Sequence, residues 1–198
     1  MLLFDKLEAQ GVHLVLASQS PRRRALMEDS GLKCSVVCYH VDEAYPADLQ
    51  ADKVPEYLSQ LKSEHYPTEI SPCEILITAD TIVICQGEIL GKPRDTDQAR
   101  EMLGKISGRK HQVITGVTIR SSEKSVSFSC MSHVQFAQLT GEEIDYYVEQ
   151  YHPLDKAGSY GIQEWIGYIG IEGIEGSFYN VMGLPIQRLY NELNKFIG

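Results

Sequence analysis

Apolar residues in this chain fall into two alternating patterns, short continuous runs and helically spaced positions. Short runs bounded by turn residues predict buried strands over 13–17, 34–41, 74–79 and 82–86. Two longer runs, 111–122 and 125–137, predict an antiparallel hairpin joined through the segment SSEKS. The strand pattern therefore covers both halves of the chain.

Helical spacing of apolar residues lies between these runs. It predicts helices over 2–10, 21–30, 51–65, 95–108, 139–150 and 184–196. Ser20 and Pro21 suit the N-cap and first position of the second helix. Thr140 and Glu143 form a capping box for the fifth. Interspersed helices and strands that include a long hairpin indicate an α/β fold with a mixed sheet and flanking helices, arranged as two lobes around a cleft.

Composition is that of an ordinary globular protein. The 198 residues are 43% hydrophobic and 23% charged. No stretch approaches the roughly 20 apolar residues of a membrane-spanning helix, and the N-terminus is a poor secretory signal. We therefore expect a soluble cytoplasmic protein with no membrane partner. Five cysteines without a CxxC pair favour reduced thiols over a disulfide framework or a zinc site.

The charge balance narrows the choice of partners. A formal net charge of −9 with a pI near 5.1 disfavours binding to nucleic acid, which needs a basic face. A small anion remains compatible, because a local cluster of cations can outweigh the global charge. The positions of the basic residues therefore matter more than their number.

The segment SQSPRRR (18–24) is the first candidate site. It leads from a predicted strand into a helix whose N-terminal N–H groups favour an anion. Arg22 and Arg23 lie in the first turn, where cations oppose the helix dipole, so local helix stability does not explain them. A phosphate ligand does; the alternative is a pair of solvated surface arginines.

Two further segments carry polar groups beside apolar runs. TADT (78–81) puts Asp80 at the end of a predicted strand, a suitable place for a metal ligand or general base, although aspartate is also a common turn residue. LGKP (90–93) adds Lys92. In the second half, the loops HPLDKAGSYGIQ (152–163) and GSFYNVMGLP (176–185) suit close approach of the backbone to a ligand, or are ordinary loops.

Several catalytic motifs do not occur in the sequence. There is no P-loop, no dinucleotide-binding GxGxxG after a strand, no HExxH and no GxSxG elbow. His111 and His133 are each isolated, and we interpret them as structural or surface residues. The candidate chemistry therefore rests on the carboxylate, cations and glycine-rich loops already described.

Six segments in this order resemble the Maf family of nucleotide pyrophosphatases: LASQSPRRR, ADTIVI, LGKPRD, LGKISGRKHQVITGV, DKAGSYGIQ and YNVMGLP. The resemblance covers the chain from about His13 to its end and implies one Maf-like domain over 1–198, with 1–12 as an N-terminal extension. It also implies an elongated inosine-triphosphatase-like α/β fold, a phosphate-binding cleft between two lobes, and a need for a divalent cation.

The resemblance also assigns expected roles. The first motif supplies Ser20, Arg22 and Arg23 for phosphate binding. Asp80 matches the proton acceptor and Lys92 the lysine of the GKP motif. Two further polar site residues match Glu43 and Lys62, in a segment with little motif of its own.

Three positions bear on the choice of substrate. Arg22, Thr81 and Gln163 together resemble the branch that hydrolyses dTTP and UTP, rather than the branch that acts on 7-methyl-GTP. The side-chain amide of Gln163 can donate to a pyrimidine carbonyl and accept from the ring N3–H. These positions therefore predict a pyrimidine triphosphate as the substrate.

The mechanistic hypothesis is attack of water on the α-phosphorus with departure of pyrophosphate. Arg22, Arg23 and Lys92 hold the triphosphate, and Mg²⁺ or Mn²⁺ is bound by Asp80 and Glu43. Asp80 accepts the proton. The alternatives are a non-catalytic nucleotide-binding regulator of cell division and a phosphatase that releases orthophosphate. The family resemblance further suggests a homodimer.

Overall fold

A computed structural model describes all residues, 1–198. Its strands form one mixed sheet, in the order β2-β1-β3-β5-β6-β7, with β4 paired to β3. They are β1 (His13–Ala17), β2 (Cys34–Val37), β3 (Glu74–Cys85), β4 (Glu88–Leu90), β5 (Lys110–Arg120), β6 (Ser125–Phe136) and β7 (Ile171–Glu175). β1 pairs in parallel with β2 and β3, whereas β3–β4 and β6–β7 are antiparallel. The predicted mixed α/β class is confirmed.

Eight α-helices accompany the sheet. They are α1 (Leu3–Ala9), α2 (Pro21–Asp29), α3 (Val54–Glu64), α4 (Thr96–Ile106), α5 (Gly141–Tyr151), α6 (Trp165–Gly170), α7 (Phe178–Met182) and α8 (Ile186–Ile197). Short 3₁₀ turns cover Ala51–Lys53, Pro153–Asp155 and Ala157–Ser159. The predicted caps are present: Ser20 Oγ accepts from the backbone of Arg23, and Thr140 and Glu143 form the capping box. None of these helices is long and apolar enough to cross a lipid bilayer.

The hairpin prediction is confirmed. β5 and β6 are hydrogen-bonded neighbours joined by residues 121–124 only. So short a connection joins antiparallel strands. The backbone N–H of Ser121 donates to the carbonyl of Lys124 at 2.9 Å and closes the turn.

The interpretation of 74–79 and 82–86 as two strands is wrong. They form the single 12-residue strand β3, and Asp80 lies inside it rather than at its end. Pairing with β1 runs only from His13–Glu74 to Ala17–Thr78, and pairing with β4 begins at Val83. Asp80 therefore lies two residues beyond the last residue of β3 that pairs with β1. β1 ends at this level of the sheet, whereas β3 continues to Cys85.

The second strand is shorter than the predicted 34–41. β2 pairs with β1 in register from Leu14–Cys34 to Ala17–Val37 and ends where β1 ends. A strand at the edge of a sheet has one neighbour, so the length of that neighbour limits its ladder. Residues 38–50, which include Glu43, consequently carry no helix or strand.

The chain divides into two compact units. The first comprises Met1–Asp80, Thr115–Cys130 and Gly183–Gly198, and the second Thr81–Ile114 and Met131–Met182. A small apolar cluster in the first unit is centred on Val15, Ala17 and Leu76. The second unit has a larger core that includes Leu103, Phe136, Tyr147, Tyr160 and Ile166. The assignment of 1–198 as one domain with an extension over 1–12 stays a prediction.

Close backbone packing fixes α3 in the first unit. A Cβ added at Gly116 of β5 would lie 2.2 Å from the carbonyl carbon of Pro55 and 2.3 Å from the backbone nitrogen of Glu56. Only a residue without a side chain permits that approach. The start of α3 is thereby held against β5, and this sets the position of Lys62 two turns further along the helix.

All five cysteines are free, as predicted. Cys85 is buried, whereas Cys38 and Cys73 are exposed. His111 is buried, and burial lowers its pKa to about 4. Its Nε2 lies 2.8 Å from the Tyr160 hydroxyl within the core of the second unit. This agrees with a structural role for His111.

Candidate active site

The end of β1 leads into α2 through the SQS turn. Ser20 Oγ accepts from the backbone N–H of Arg23 at 3.4 Å, and Ser20 N–H donates to Ser18 Oγ at 3.2 Å. Pro21 occupies the first position of the helix. The hydroxyl of Ser20 therefore already caps α2, and this contact fixes the orientation of the first motif.

Arg23 donates to backbone carbonyls from two separate parts of the chain. Its Nε donates to the carbonyl of Gly183 at 2.7 Å, and its Nη1 donates to the carbonyl of Ala79 at 2.8 Å. Burial lowers the pKa of Arg23, and the charge of Asp80 opposes that change. An arginine stays protonated in such surroundings. The alternative of a solvated surface arginine is therefore wrong for Arg23, which braces the residue that precedes Asp80.

Lys62 connects two carboxylates. Its Nζ lies 2.6 Å from Asp80 Oδ1 and 2.8 Å from Glu43 Oε1. The side chains of Lys62 and Asp80 are only 16% and 11% exposed, whereas that of Glu43 is 45% exposed. The structure thus brings together an acidic residue from an irregular loop, a lysine from α3 and an aspartate from β3.

The backbone of Lys62 is also held. The Tyr39 hydroxyl donates to the carbonyl of Lys62 at 2.5 Å. Burial raises the pKa of Tyr39 to about 12, so the hydroxyl keeps its proton and remains a donor at neutral pH. Sequence reasoning did not select Tyr39. Tyr39 and Lys62 are 23 residues apart in the sequence, so no local sequence pattern predicts their contact.

The protonation of Asp80 is set by opposing influences. Burial raises its pKa above the ordinary value, and the charge and hydrogen bond of Lys62 lower it, with a further lowering by Arg23. A general base works best when its pKa lies close to the operating pH while its ionised form is still populated. In Asp80, desolvation raises the pKa and the two neighbouring cations limit that rise.

The donor set suits one kind of metal ion. Asp80 and Glu43 offer carboxylate oxygens, and no group of three His, Cys, Asp or Glu side chains clusters anywhere in the chain. Mg²⁺ is usually bound by one or two carboxylates together with substrate phosphates and water. The residues therefore fit a cation held jointly with a phosphorylated ligand. They do not fit a metal held by the protein alone.

Three predicted site residues belong to the second unit. Thr81 follows Asp80 on β3 and is partly buried. Lys92 is exposed on the loop after β4. Gln163 lies just before α6, and its Oε1 is buried without a hydrogen-bond partner. A buried acceptor without a donor is costly, so this amide is suited to a donor that a ligand brings.

The loop of residues 152–164 in the second unit is ordered by charged and aromatic partners that sequence reasoning missed. Lys156 is 7% exposed and forms ion pairs with Asp155 at 2.8 Å and Glu164 at 3.1 Å. Tyr147 on α5 donates to Glu164. Lys156 lies within the DKAGSYGIQ motif, and this motif could have identified it as a candidate. Tyr147 occupies a position of α5 whose helical spacing predicts only a core residue.

Comparison with known proteins defines the family. A model of the family described as Maf-like protein matches residues 13–196. The chain belongs to the Maf-like family. A protein of Bacteroides thetaiotaomicron is 54% identical over 183 residues, which cover 92% of this chain and 95% of that protein. A protein of Porphyromonas gingivalis is 54% identical over 186 residues, with 92% and 94% covered. Both relatives are named dTTP/UTP pyrophosphatase.

A solved structure supports the fold of this Maf-like chain. The Staphylococcus aureus Ham1 protein superposes with a TM-score of 0.51 at 16% identity, covering 93% of this chain and 99% of that one. At 16% identity, this structural similarity supports the fold and not the function. It agrees with the inosine-triphosphatase-like architecture that the six sequence segments implied.

Proposed function

We propose that this Maf-like protein hydrolyses dTTP and UTP to the nucleoside monophosphate and pyrophosphate. The observation that carries the proposal is the buried pairing of Asp80 with Lys62, with Arg23 fixed on the adjacent backbone. The relatives named dTTP/UTP pyrophosphatase, which match nearly the whole chain, support the same activity.

Asp80 is the proposed general base. It takes a proton from the water that attacks the α-phosphorus, while the bond between this phosphorus and the pyrophosphate oxygen breaks. Lys62 keeps a fraction of Asp80 ionised despite burial, because its ammonium group stabilises the carboxylate at 2.6 Å. Arg22, Arg23 and Lys92 are the proposed phosphate-binding cations, with the N-terminus of α2 at Ser20 adding backbone N–H donors. Cations placed before reaction supply most of the catalysis in phosphoryl transfer.

A divalent cation, Mg²⁺ or Mn²⁺, is proposed to be held by Asp80 and Glu43 together with the substrate. When bound, it supplies charge neutralisation on phosphate oxygens and a more acidic water. Lys62 Nζ contacts one oxygen of each carboxylate, Asp80 Oδ1 and Glu43 Oε1, so the lysine orients both side chains before the substrate arrives.

Gln163 is the proposed reader of the base. Its buried Oε1 accepts from the N3–H of uracil or thymine, and its Nε2 donates to a ring carbonyl. Arg22 and Thr81 are proposed to contribute to the same preference. Replacing Gln163 by Glu removes the donor and adds charge, so it should redistribute preference between bases without abolishing hydrolysis.

The bond that is cleaved can be identified with labelled water. UTP is incubated with the protein and Mg²⁺ in H₂¹⁸O. The products are then separated, and mass spectrometry determines which of them contains ¹⁸O. We expect UMP and pyrophosphate, with ¹⁸O in UMP and loss of activity in EDTA. Label in pyrophosphate would show attack on the β-phosphorus, and orthophosphate as first product would show a phosphatase. Absence of turnover with every triphosphate would leave the regulator alternative.

The resemblance to the family also suggests a homodimer in the cytoplasm. Sedimentation equilibrium over a range of protein concentrations tests the dimer, and a constant mass near the 22.2 kDa of one chain would contradict it. The catalytic proposal does not depend on that result.

A further inference from the structure

Gln163 lies in a tight turn whose ends are joined. The backbone N–H of Glu164 donates to the carbonyl of Gly161 at 3.0 Å, so residues 161–164 close on themselves. The next hydrogen bond runs from Gly167 N–H to the carbonyl of Glu164 at 2.9 Å. Gln163 is therefore part of a short closed turn, and this turn continues directly into α6.

One phenol contacts both ends of this turn. The Tyr147 hydroxyl accepts from the backbone N–H of Gly161 at 2.9 Å and donates to Glu164 Oε2. Tyr147 is completely buried on α5 in the core of the second unit. A hydroxyl in an apolar core costs free energy unless it is hydrogen-bonded. Both of its partners here flank Gln163.

The other oxygen of Glu164 is also engaged. Lys156 Nζ lies 3.1 Å from Glu164 Oε1, and the lysine side chain is only 8% exposed. The carboxylate lies so close to Gly161 that a Cβ there would be 2.7 Å from Glu164 Cδ. The turn has little freedom to move, because both carboxylate oxygens and both turn ends have fixed partners.

Fixing the turn matters because a glutamine amide is ambiguous. With Oε1 towards the base it accepts from N3–H of uracil; rotated by half a turn, it donates to N3 of cytosine instead. Selection of uracil over cytosine therefore requires more than a glutamine at this position. A fixed backbone holds this side chain in one position, and in that position the buried atom of the amide is the acceptor Oε1.

We propose that Tyr147 is a positioning residue for base selection, which holds the 161–164 turn through Gly161 and Glu164 so that Gln163 presents its carbonyl oxygen to the ring N3–H. This rests on the proposed function, in which Gln163 reads a pyrimidine. Tyr147 touches neither substrate nor reacting atoms in this role.

The test compares Tyr147→Phe with Tyr151→Phe. Tyr151 stacks on Tyr147 with ring centroids 5.0 Å apart and lies one turn away on the same helix, so its variant is a matched loss of a hydroxyl. The measured quantity is the ratio of kcat/KM for UTP to that for CTP. For Tyr147→Phe we expect this ratio to fall about tenfold or more, mainly through a higher KM for UTP, because small misplacements of binding groups cost up to roughly a hundredfold. Tyr151→Phe should leave the ratio unchanged.

A purely structural role predicts a different result. Activity towards UTP and CTP would then fall by the same factor in Tyr147→Phe, and an unchanged ratio overturns the proposal. If Tyr147→Phe does not fold, Glu164→Gln and Glu164→Ala decide. Glu164→Gln keeps an acceptor for the Tyr147 hydroxyl and should retain more of the UTP preference than Glu164→Ala; equal ratios for the two overturn the proposal.

Gln163→Ala separates this inference from the proposed function. If Gln163→Ala changes the UTP/CTP ratio and Tyr147→Phe does not, the positioning role is wrong and the assignment of Gln163 stands. If Gln163→Ala leaves the ratio unchanged, the assignment of the base reader is itself wrong. When both proposals hold, adding Tyr147→Phe to Gln163→Ala changes the ratio no further.

Discussion

Lys62 Nζ lies 2.6 Å from Asp80 Oδ1 and holds the only strongly buried carboxylate of the candidate site in an ion pair. Glu43, on the opposite side of the ammonium group, is half exposed. The pair is therefore asymmetric: the aspartate is desolvated and basic, whereas the glutamate remains accessible to solvent. This asymmetry supports the proposal that Asp80, rather than Glu43, accepts the proton.

Replacing the base should remove turnover and leave the fold intact. Asp80→Asn keeps the shape of the side chain and abolishes its basicity, so kcat for UTP should fall by about two to four orders of magnitude. Steady-state kinetics with circular dichroism as a folding check measures this. Asp48→Asn, on an exposed position of the loop before α3, is the control. Near-normal turnover of Asp80→Asn would rule out Asp80 as the base.

Replacing Lys62 by an uncharged residue should shift the pH dependence of kcat/KM. Burial raises the pKa of Asp80, and Lys62 is the largest opposing influence. In Lys62→Met that pKa rises further, so the acidic limb of log kcat/KM against pH should move to higher pH. At any pH on this limb a smaller fraction of Asp80 is ionised. Lys53→Met, at an exposed lysine just before α3, should leave the limb in place. A limb that moves to lower pH would contradict the electrostatic assignment.

Arginine at position 23 should not be replaceable by lysine. Arg23 donates to the carbonyls of Gly183 and Ala79 from two different nitrogens, and a single ammonium group does not reproduce this fork. A hydrogen bond from a charged group contributes about 1.5–3 kcal/mol. We therefore expect Arg23→Lys to lose roughly a tenfold or larger factor in kcat/KM together with stability in urea. Arg24→Lys, at an exposed position, should behave like the wild type. Wild-type kinetics in Arg23→Lys would show that the fork is dispensable.

A single methyl group at position 116 should disturb α3. The Cβ of Gly116→Ala would lie 2.2 Å from the Pro55 carbonyl carbon, so the helix must shift. We expect a loss of about 1–3 kcal/mol in the free energy of unfolding, the usual cost of overpacking, together with reduced kcat as Lys62 moves. Gly104→Ala on α4 meets nothing within 4 Å and should instead stabilise by about 0.5–1 kcal/mol. Urea unfolding of both variants checks the contrast, and equal effects would refute it.

Local signals in the sequence were sufficient for much of the fold. The N-cap of α2 at Ser20, the capping box of α5 and the hairpin of β5 and β6 all depend on residues close together in the chain. Each of these was predicted correctly. The short elements α6, β7 and α7 were missed. β7 is an edge strand of mostly exposed residues and therefore lacks the buried apolar run that identifies a strand.

The site was less accessible to sequence reasoning than the fold. A polar pair, Asp80-Thr81, inside a buried strand resembles a turn, because nothing local shows that β1 ends beside it. Glu43 lies on a loop without regular structure, and Lys62 looks like any surface lysine of an amphipathic helix. Only tertiary packing brings these two residues to Asp80. The family resemblance, rather than spacing, identified them in advance.

The packing around Gln163 also provides an internal optical probe. Trp165 is the only tryptophan of the chain, follows Gln163 by two residues, and packs edge-on against Tyr146 at 4.8 Å between ring centroids. With excitation selective for tryptophan, its emission reports on the surroundings of the beginning of α6. Occupation of the turn by a pyrimidine nucleotide, or its loosening in a variant, is therefore open to observation by intrinsic fluorescence in unlabelled protein.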